Sequence, residues 1–416
     1  MPLNVKTSNS THAEPLPYKA FLLSLALSVM VTEMATDIYL MAQKILMVTF
    51  KTTPAAIMYS FSAYMVGMGL SIPIYGMLAD KIGRRPVLLG AMGIFSLGSL
   101  LCPFSPTIEY LWVIRGFQGI GGGGAYIIAM TALSDRFAGN SLARAISLLQ
   151  ASIALSPAFS PIIGAWLLTL YNWKMNFYFL GAMAVCTWLF LWRYMPETHS
   201  EPRASFSCMA AFQAYCRVFK DPTFLSLTLL SALPFGALWA YLSGVTLYVL
   251  DKLHLDPWHF SLFQASEVLA YIAATLLNSR VLTYRDPFTL LGYGVWCCLS
   301  GAIFLALTAL YAAGAISMII TAMCVFSFGL GFVFSNGVTL VMAAKTPHKG
   351  IRAASLSSTE LLLPALVAWI IGHIYQERLL EPAISMLVIM LLTMVVYLWV
   401  SQQRTQGCKK NFPIDG

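Results

Sequence analysis

A chain of 416 residues that is 58% hydrophobic and only 10% charged, with a mean hydropathy of +0.74, has too little charge to cover a soluble surface. Its net charge of +8 would suit a nucleic-acid partner, but the basic residues follow membrane topology, and no nucleic acid is expected. The eight cysteines show neither metal-site spacing nor a disulfide framework.

Residues 1–17 are polar and contain prolines, which predicts a flexible N-terminus. Apolar runs of about 20 residues, the length of a helix that crosses lipid, then recur along the chain. They predict transmembrane helices near 18–40, 55–78, 87–105, 110–134, 143–170 and 175–194. A second group follows near 223–249, 259–280, 288–311, 315–340, 353–375 and 383–401. The polar break at 195–222 divides these into a six-helix half at 18–194 and another at 223–401, with a tail at 402–416. The first apolar segment is too long, and its lead too plain, for a cleaved signal peptide. An even number of spans places both termini on one side. Of the 25 Lys and Arg, Arg115 lies within a span, which leaves 24. Five of these, Lys44, Lys51, Lys174, Lys252 and Arg378, fall on one side, and the remaining nineteen on the other. The positive-inside rule therefore puts both termini and the 195–222 loop in the cytoplasm.

In span 1, V-T-E-M-A-T-D-I-Y-L places Glu33 and Asp37 one helical turn apart on one face. Burial opposes the charge of a carboxylate and a nearby guanidinium favours it, so such a pair can exchange a proton as its surroundings change. Between spans 2 and 3 the chain reads G-M-L-A-D-K-I-G-R-R-P-V-L from Gly76 to Leu88. Glycine permits a bend there that a side chain would block, and the arginines hold the turn in the cytoplasm. Span 4 begins L-W-V-I-R-G-F-Q-G-I-G-G-G-G-A. Gly119, Gly121 and Gly124 match G-x-G-x-x-G, but a dinucleotide site needs a βαβ unit, and this motif lies within an apolar helix. Helical spacing gives the better account. Arg115, Gln118, Gly119 and Gly122 share one face, where glycine lets another helix approach closely. A guanidinium in hydrocarbon requires a carboxylate or cavity water, and the span 1 acids are its expected partners.

In span 5, S-P-A-F-S-P-I-I-G runs from Ser156 to Gly164. Pro157 and Pro161 each delete a helix hydrogen bond, while Ser156, Ser160 and Gly164 keep that surface thin. The second half adds Glu267 in span 8 and Glu360 in span 11, and acids inside a membrane are functional candidates. Glu360 lies about two turns from the cytoplasmic end, so it either faces a cavity or serves only as a cap or as the partner of a loop arginine. Asn336 and His373 suit hydrogen bonds between helices. Tyr39, Tyr126, Trp239, Tyr241 and Phe263 are candidate cavity-lining aromatics.

The turn with Asp80, Gly83, Arg84 and Arg85 resembles the loop between helices 2 and 3 of the major facilitator superfamily. Leu111–Ala125 is similar to that superfamily's fourth-helix motif, and Ser156–Gly164 resembles its antiporter-type fifth-helix motif, which is normally richer in glycine. Thr36-Asp37-Ile38-Tyr39-Leu40 resembles the T-D-M-Y-L-P signature of the bicyclomycin-resistance (Bcr/CflA) branch of drug:proton antiporters. Met41 replaces the branch's proline, and Glu33 is an addition. Asn278-Ser279-Arg280 through Arg285-Asp286-Pro287 falls where the Gly76–Leu88 turn falls in the first half.

The resemblance implies an all-α membrane protein of twelve transmembrane helices in two pseudo-symmetric six-helix halves, with substrate bound near the midplane between them. It implies proton coupling through Glu33, Asp37 and Arg115. Substrate contacts would come from those three with Tyr39, Gln118, Tyr126, Trp239, Glu267 and Glu360. Gating would fall to Gly76, Asp80, Gly83, Arg84 and Arg85, and to the fifth helix at Pro157, Pro161 and Gly164, which can seal against the other half. Asp80 would pair with the arginines and with the start of helix 11, where the helix dipole favours a carboxylate. The expected protein is a monomer in the bacterial inner membrane. It would export a small amphipathic compound in exchange for protons, with no metal, no other cofactor and no enzymatic activity. A dedicated carrier of a siderophore, amino acid or nucleoside, in either direction, is the nearest alternative, and a non-transporting sensor a more distant one. An ATP-driven pump is disfavoured by the lack of G-x-x-x-x-G-K-[ST].

Overall fold

The computed structural model describes residues 18–137, 139–199, 208–343 and 349–405. The expected N-terminal segment 1–17, positions 200–207 of the central loop and positions 406–416 of the tail lie outside the described residues. Among the described residues there is no strand. The first helices are α1 (Tyr18–Leu40), α2 (Gln43–Phe50), α3 (Pro54–Ile82), α4 (Arg84–Leu101), α5 (Ile108–Arg136), α6 (Gly139–Leu170) and α7 (Trp173–Tyr194). They are followed by α8 (Cys208–Phe219), α9 (Pro222–Leu247), α10 (Pro257–Val281), α11 (Pro287–Tyr311), α12 (Ile316–Ala343), α13 (Lys349–Ile374) and α14 (Leu380–Thr405).

Among the described residues, eleven helices are long and apolar enough to cross a membrane. The twelfth long helix is α5, whose Arg115, Gln118 and four consecutive glycines dilute its hydropathy. Two short helices were not expected from the sequence. Helix α2 follows α1 directly, and the amphipathic α8 lies within the 195–222 segment read as a loop. Helix α6 runs unbroken through Pro157 and Pro161, and α9 ends in a π-turn at Tyr248–Lys252.

The helix starts follow from local chemistry. Asp221, Asp256 and Asp286 each precede a proline and accept a hydrogen bond from the backbone N–H two residues on. Each aspartate satisfies one of the donors a helix start leaves open, and the proline has no N–H to satisfy. Asn172 caps α7 in the same way.

The chain separates into two compact units, residues 1–45 with 63–208, and residues 46–62 with 209–416. In the first, α1 packs on α5, α6 and α7, and α4 packs on α5 and α7. In the second, α9 packs on α13 and α14, α12 on α10 and α11, and α11 on α14. Glycine sets the closest approaches. A Cβ on Gly119 of α5 would overlap the Tyr64 carbonyl of α3, and one on Gly331 of α12 would lie 2.8 Å from the Tyr271 carbonyl of α10.

Candidate functional site

Helix α5 carries Arg115 into the interior of the first unit, where the side chain is fully buried. Its Nη1 donates to the Ala35 carbonyl at 3.0 Å and to Gln118 Oε1 at 2.8 Å. The guanidinium lies 4.8 Å from the Tyr39 ring centroid and 4.5 Å from that of Tyr64, within cation–π range. Gln118 donates to Ser99 Oγ at 2.8 Å, and the Tyr64 hydroxyl donates to the Thr32 carbonyl at 2.7 Å. Arg115 Nε and Nη2 have no hydrogen-bond partner. The sequence placed this guanidinium against the span 1 acids. Instead it sits in a cradle of carbonyl, amide and aromatic faces, and among the described residues no ion pair joins it to Glu33 or Asp37. The reason lies in α1, which presents Ala35 and Tyr39 to α5 while Asp37 turns towards α6.

Asp37 is buried, with 6% of its surface exposed, beside Ser156 of α6 and Thr36, whose hydroxyl donates to the Glu33 carbonyl at 2.6 Å. Glu33, one turn earlier, is half-buried. Helix α6 can lie this close to α1 because Gly164 has no side chain, and a Cβ there would lie 3.0 Å from the Ile38 carbonyl. Pro157 and Pro161 flank Ser160, whose hydroxyl donates to the Ser156 carbonyl at 2.6 Å. Tyr39 is buried against Phe177, and Tyr126 is half-buried on α5.

The turn between α3 and α4 is a built structure. Gly83 has φ +105°, a conformation that other residues rarely adopt. Arg84 Nη1 pairs with Asp80 at 2.6 Å and its Nε with Asp135 of α5 at 3.0 Å, while Arg85 Nη2 donates to the Trp192 carbonyl at 2.7 Å. Glu197 closes the start of α4, its carboxylate accepting from the backbone N–H groups of Arg84 at 2.8 Å and Arg85 at 3.3 Å. A Cβ on Gly83 would strike that carboxylate. Gly76 differs, because a Cβ there meets nothing within 4 Å, so close packing does not require glycine at that position.

In the second unit, Glu267 is buried on α10 and accepts a 2.8 Å hydrogen bond from the Tyr241 hydroxyl of α9. Glu360 is buried on α13 and accepts one of 2.6 Å from Ser231 of α9. It does not pair with Arg352, which bonds Asp221 at 3.1 Å and stacks on Phe224 at the start of α9. Trp239 is buried beside Phe61, with ring centroids 4.4 Å apart, and its Nε1 has no partner. Asn336 donates to Asn278 at 2.7 Å, joining α12 to α10, and His373 bonds Tyr59 and lies tilted against Trp369, with ring centroids 4.3 Å apart.

The chain matches the Major Facilitator Superfamily over residues 25–361. It belongs to that superfamily. It is similar to the multidrug resistance protein MdtL of Shewanella sp. (strain ANA-3), at 25% identity over 81% of this chain and 84% of that protein. It is also similar to the chloramphenicol resistance protein CraA of Acinetobacter baumannii, at 27% identity over 76% and 77%. The crystal structure of the human organic anion transporter MFSD10 superposes with a TM-score of 0.70 at 15% identity, covering 92% of this chain and 99% of that one, and shares the fold. The chain is thus a multi-pass membrane protein with the twelve-helix fold of superfamily transporters.

Sequence reasoning missed Asp135, Glu197 and Tyr64. Asp135 and Glu197 lie 51 and 113 residues from Arg84, a separation that no local pattern spans. A signal for Glu197 was present in Met195-Pro196-Glu197-Thr198, since an acid just past a span end can cap a neighbouring helix start.

Proposed function

We propose that this chain is a proton-coupled antiporter that exports small amphipathic organic compounds across a bacterial inner membrane, with both termini in the cytoplasm. One observation carries the reading: Asp37 is buried in α1 beside the acid Glu33 and the hydroxyl residues Ser156 and Thr36, with no cationic partner among the described residues. A buried carboxyl without an ion pair can accept a proton without breaking one, and an organic cation can replace that proton. Glu33 on the same face is the second proton carrier. Arg115 stays charged in its cradle of carbonyl, amide and aromatic groups. Glu267, Glu360, Trp239, Tyr39, Gln118 and Tyr126 supply further substrate contacts. The printed names of the bacterial relatives, which concern drug resistance, support the substrate class. The excess of basic residues on one side supports the orientation.

Proteoliposomes containing a pH-sensitive dye test this reading. An imposed proton gradient and a panel of cationic and neutral amphipaths, chloramphenicol included, should give substrate-dependent proton movement in the wild type. That movement should vanish in Asp37→Asn and weaken in Glu33→Gln. Substrate flux without proton movement would replace antiport with passive facilitated transport. Binding without flux would leave a sensor.

A further inference from the structure

Gln264 lies one helical turn before Glu267 on α10, and the export reading gives it no role. The two side chains are at i and i+3, so they project from one face with Cβ atoms about 5–6 Å apart. Both are more than nine-tenths buried. Glu267 Oε1 is occupied by the Tyr241 hydroxyl. Gln264 Oε1 is buried with no partner. Buried amide oxygens are nearly always bonded, and an orphan of this kind calls for an account.

A proton on Glu267 supplies one account, its O–H donating to the Gln264 oxygen, but an ionised Glu267 leaves both its carboxylate and that oxygen in need of donors. A ligand with two or more N–H donors on one positive centre satisfies both groups together. One N–H meets Glu267 Oε2, another meets Gln264 Oε1, and the positive charge offsets a carboxylate that has no cationic neighbour among the described residues.

We propose that Gln264 and Glu267 form a two-acceptor site for the head of a hydrogen-bond-donating cation, a primary or secondary ammonium or an amidinium. Gln264 discriminates against quaternary ammonium compounds of the same charge. The inference rests on the export reading and narrows its substrate class. Tyr241 is the positioning residue, since its hydroxyl fixes one carboxylate oxygen and leaves the other for the ligand. A quaternary head carries the charge but no N–H, so it leaves the glutamine oxygen unpaired, and unpaired buried groups are the basis of strong discrimination.

The test uses the full-length purified protein in detergent, with 1-naphthylmethylammonium and its N,N,N-trimethyl analogue as probes in isothermal titration calorimetry. The wild type should bind the primary ammonium about tenfold more tightly, the effect of one charge-assisted hydrogen bond. Gln264→Leu should bind the trimethyl probe as the wild type does and lose the preference. Gln264→Met provides the same readout should the leucine variant fail to fold. Equal affinities in the wild type, or a preference that survives in Gln264→Leu, would overturn the site. Binding of neutral amphipaths but of neither ammonium would overturn it and leave the export reading standing. Failure of every compound to bind or move would remove the export reading itself.

Discussion

The two units pair their long helices by one plan but bury different sets of groups without an ion pair. The first unit buries a guanidinium, Arg115, among a carbonyl, an amide and two aromatic rings, together with one carboxyl, Asp37. The second buries two carboxyls, Glu267 and Glu360, each against a single hydroxyl. Ion pairs lie at helix ends, Arg84 with Asp80 and Asp135 in the first unit, Arg352 with Asp221 and Arg404 with Asp286 in the second. In the end pairs the guanidiniums of Arg84 and Arg352 are buried but matched by a carboxylate, whereas a charge held inside by neutral dipoles keeps its ability to respond to a proton or a ligand.

The strongest way to break this comparison is to attack the shared plan. Gly119→Leu and Gly331→Leu each place a side chain into a backbone carbonyl of the unit's second spanning helix, and overpacking of this kind costs about 1–3 kcal/mol or more. Both should abolish the monodisperse folded peak in size-exclusion chromatography. A folded Gly331→Leu protein would mean that the second unit tolerates separation of α10 from α12.

Arg115→Lys sharpens the contrast between the interiors. Lysine keeps the charge but lacks the planar guanidinium that lies against the Tyr39 and Tyr64 rings. Transport should fall by about tenfold or more, while Glu360→Gln, which keeps an acceptor for Ser231, should fall less. Equal losses in vesicle flux would remove the asymmetry.

The helix starts supply smaller effects. Glu197→Ala should cost about 1 kcal/mol by uncapping α4, read as a lower melting temperature, with transport reduced as the turn loosens. Asp286→Ala probes the corresponding start in the second unit. Burial of the Asp286 carboxyl is outweighed by hydrogen bonds from the Thr289 hydroxyl and the Phe288 and Thr289 N–H groups, with help from Arg404, so its pKa lies below the ordinary 3.8. A depressed carboxylate pKa stabilises the fold above the unfolded value, and that contribution is lost as pH falls through the folded one. The melting difference between wild type and Asp286→Ala should therefore hold at pH 5–8 and shrink below about pH 4. A difference that grows on acidification would reverse the assignment.

The twelve long helices were legible because lipid demands an unbroken apolar run, and the helical spacing of Arg115, Gln118 and Gly119 correctly placed all three on a packed face. The partners of Arg115 were not legible. Composition suggested that a buried cation seeks an anion, but the rotation of α1 decides whether Asp37 or Tyr39 faces α5, and a one-residue change in that phase alters the outcome. Glu360 was left between a cavity role and a loop arginine. Its bond to Ser231 and the engagement of Arg352 by Asp221 set the arginine aside. Helix α8 escaped notice because a two-sided helix of 12 residues lacks the apolar run that marks a span.

The 29 residues of α3 make a rod about 43 Å long at 1.5 Å per residue, against a hydrocarbon layer about 30 Å thick. An upright α3 overshoots that layer by about two turns in all, and its far end carries Asp80 and Lys81 towards the level of the lipid phosphates. There the half-buried Arg85, which holds the Trp192 carbonyl, stands in the surface potential of the leaflet, a potential that grows with its anionic lipid content, so leaflet composition is a chemical input to this turn.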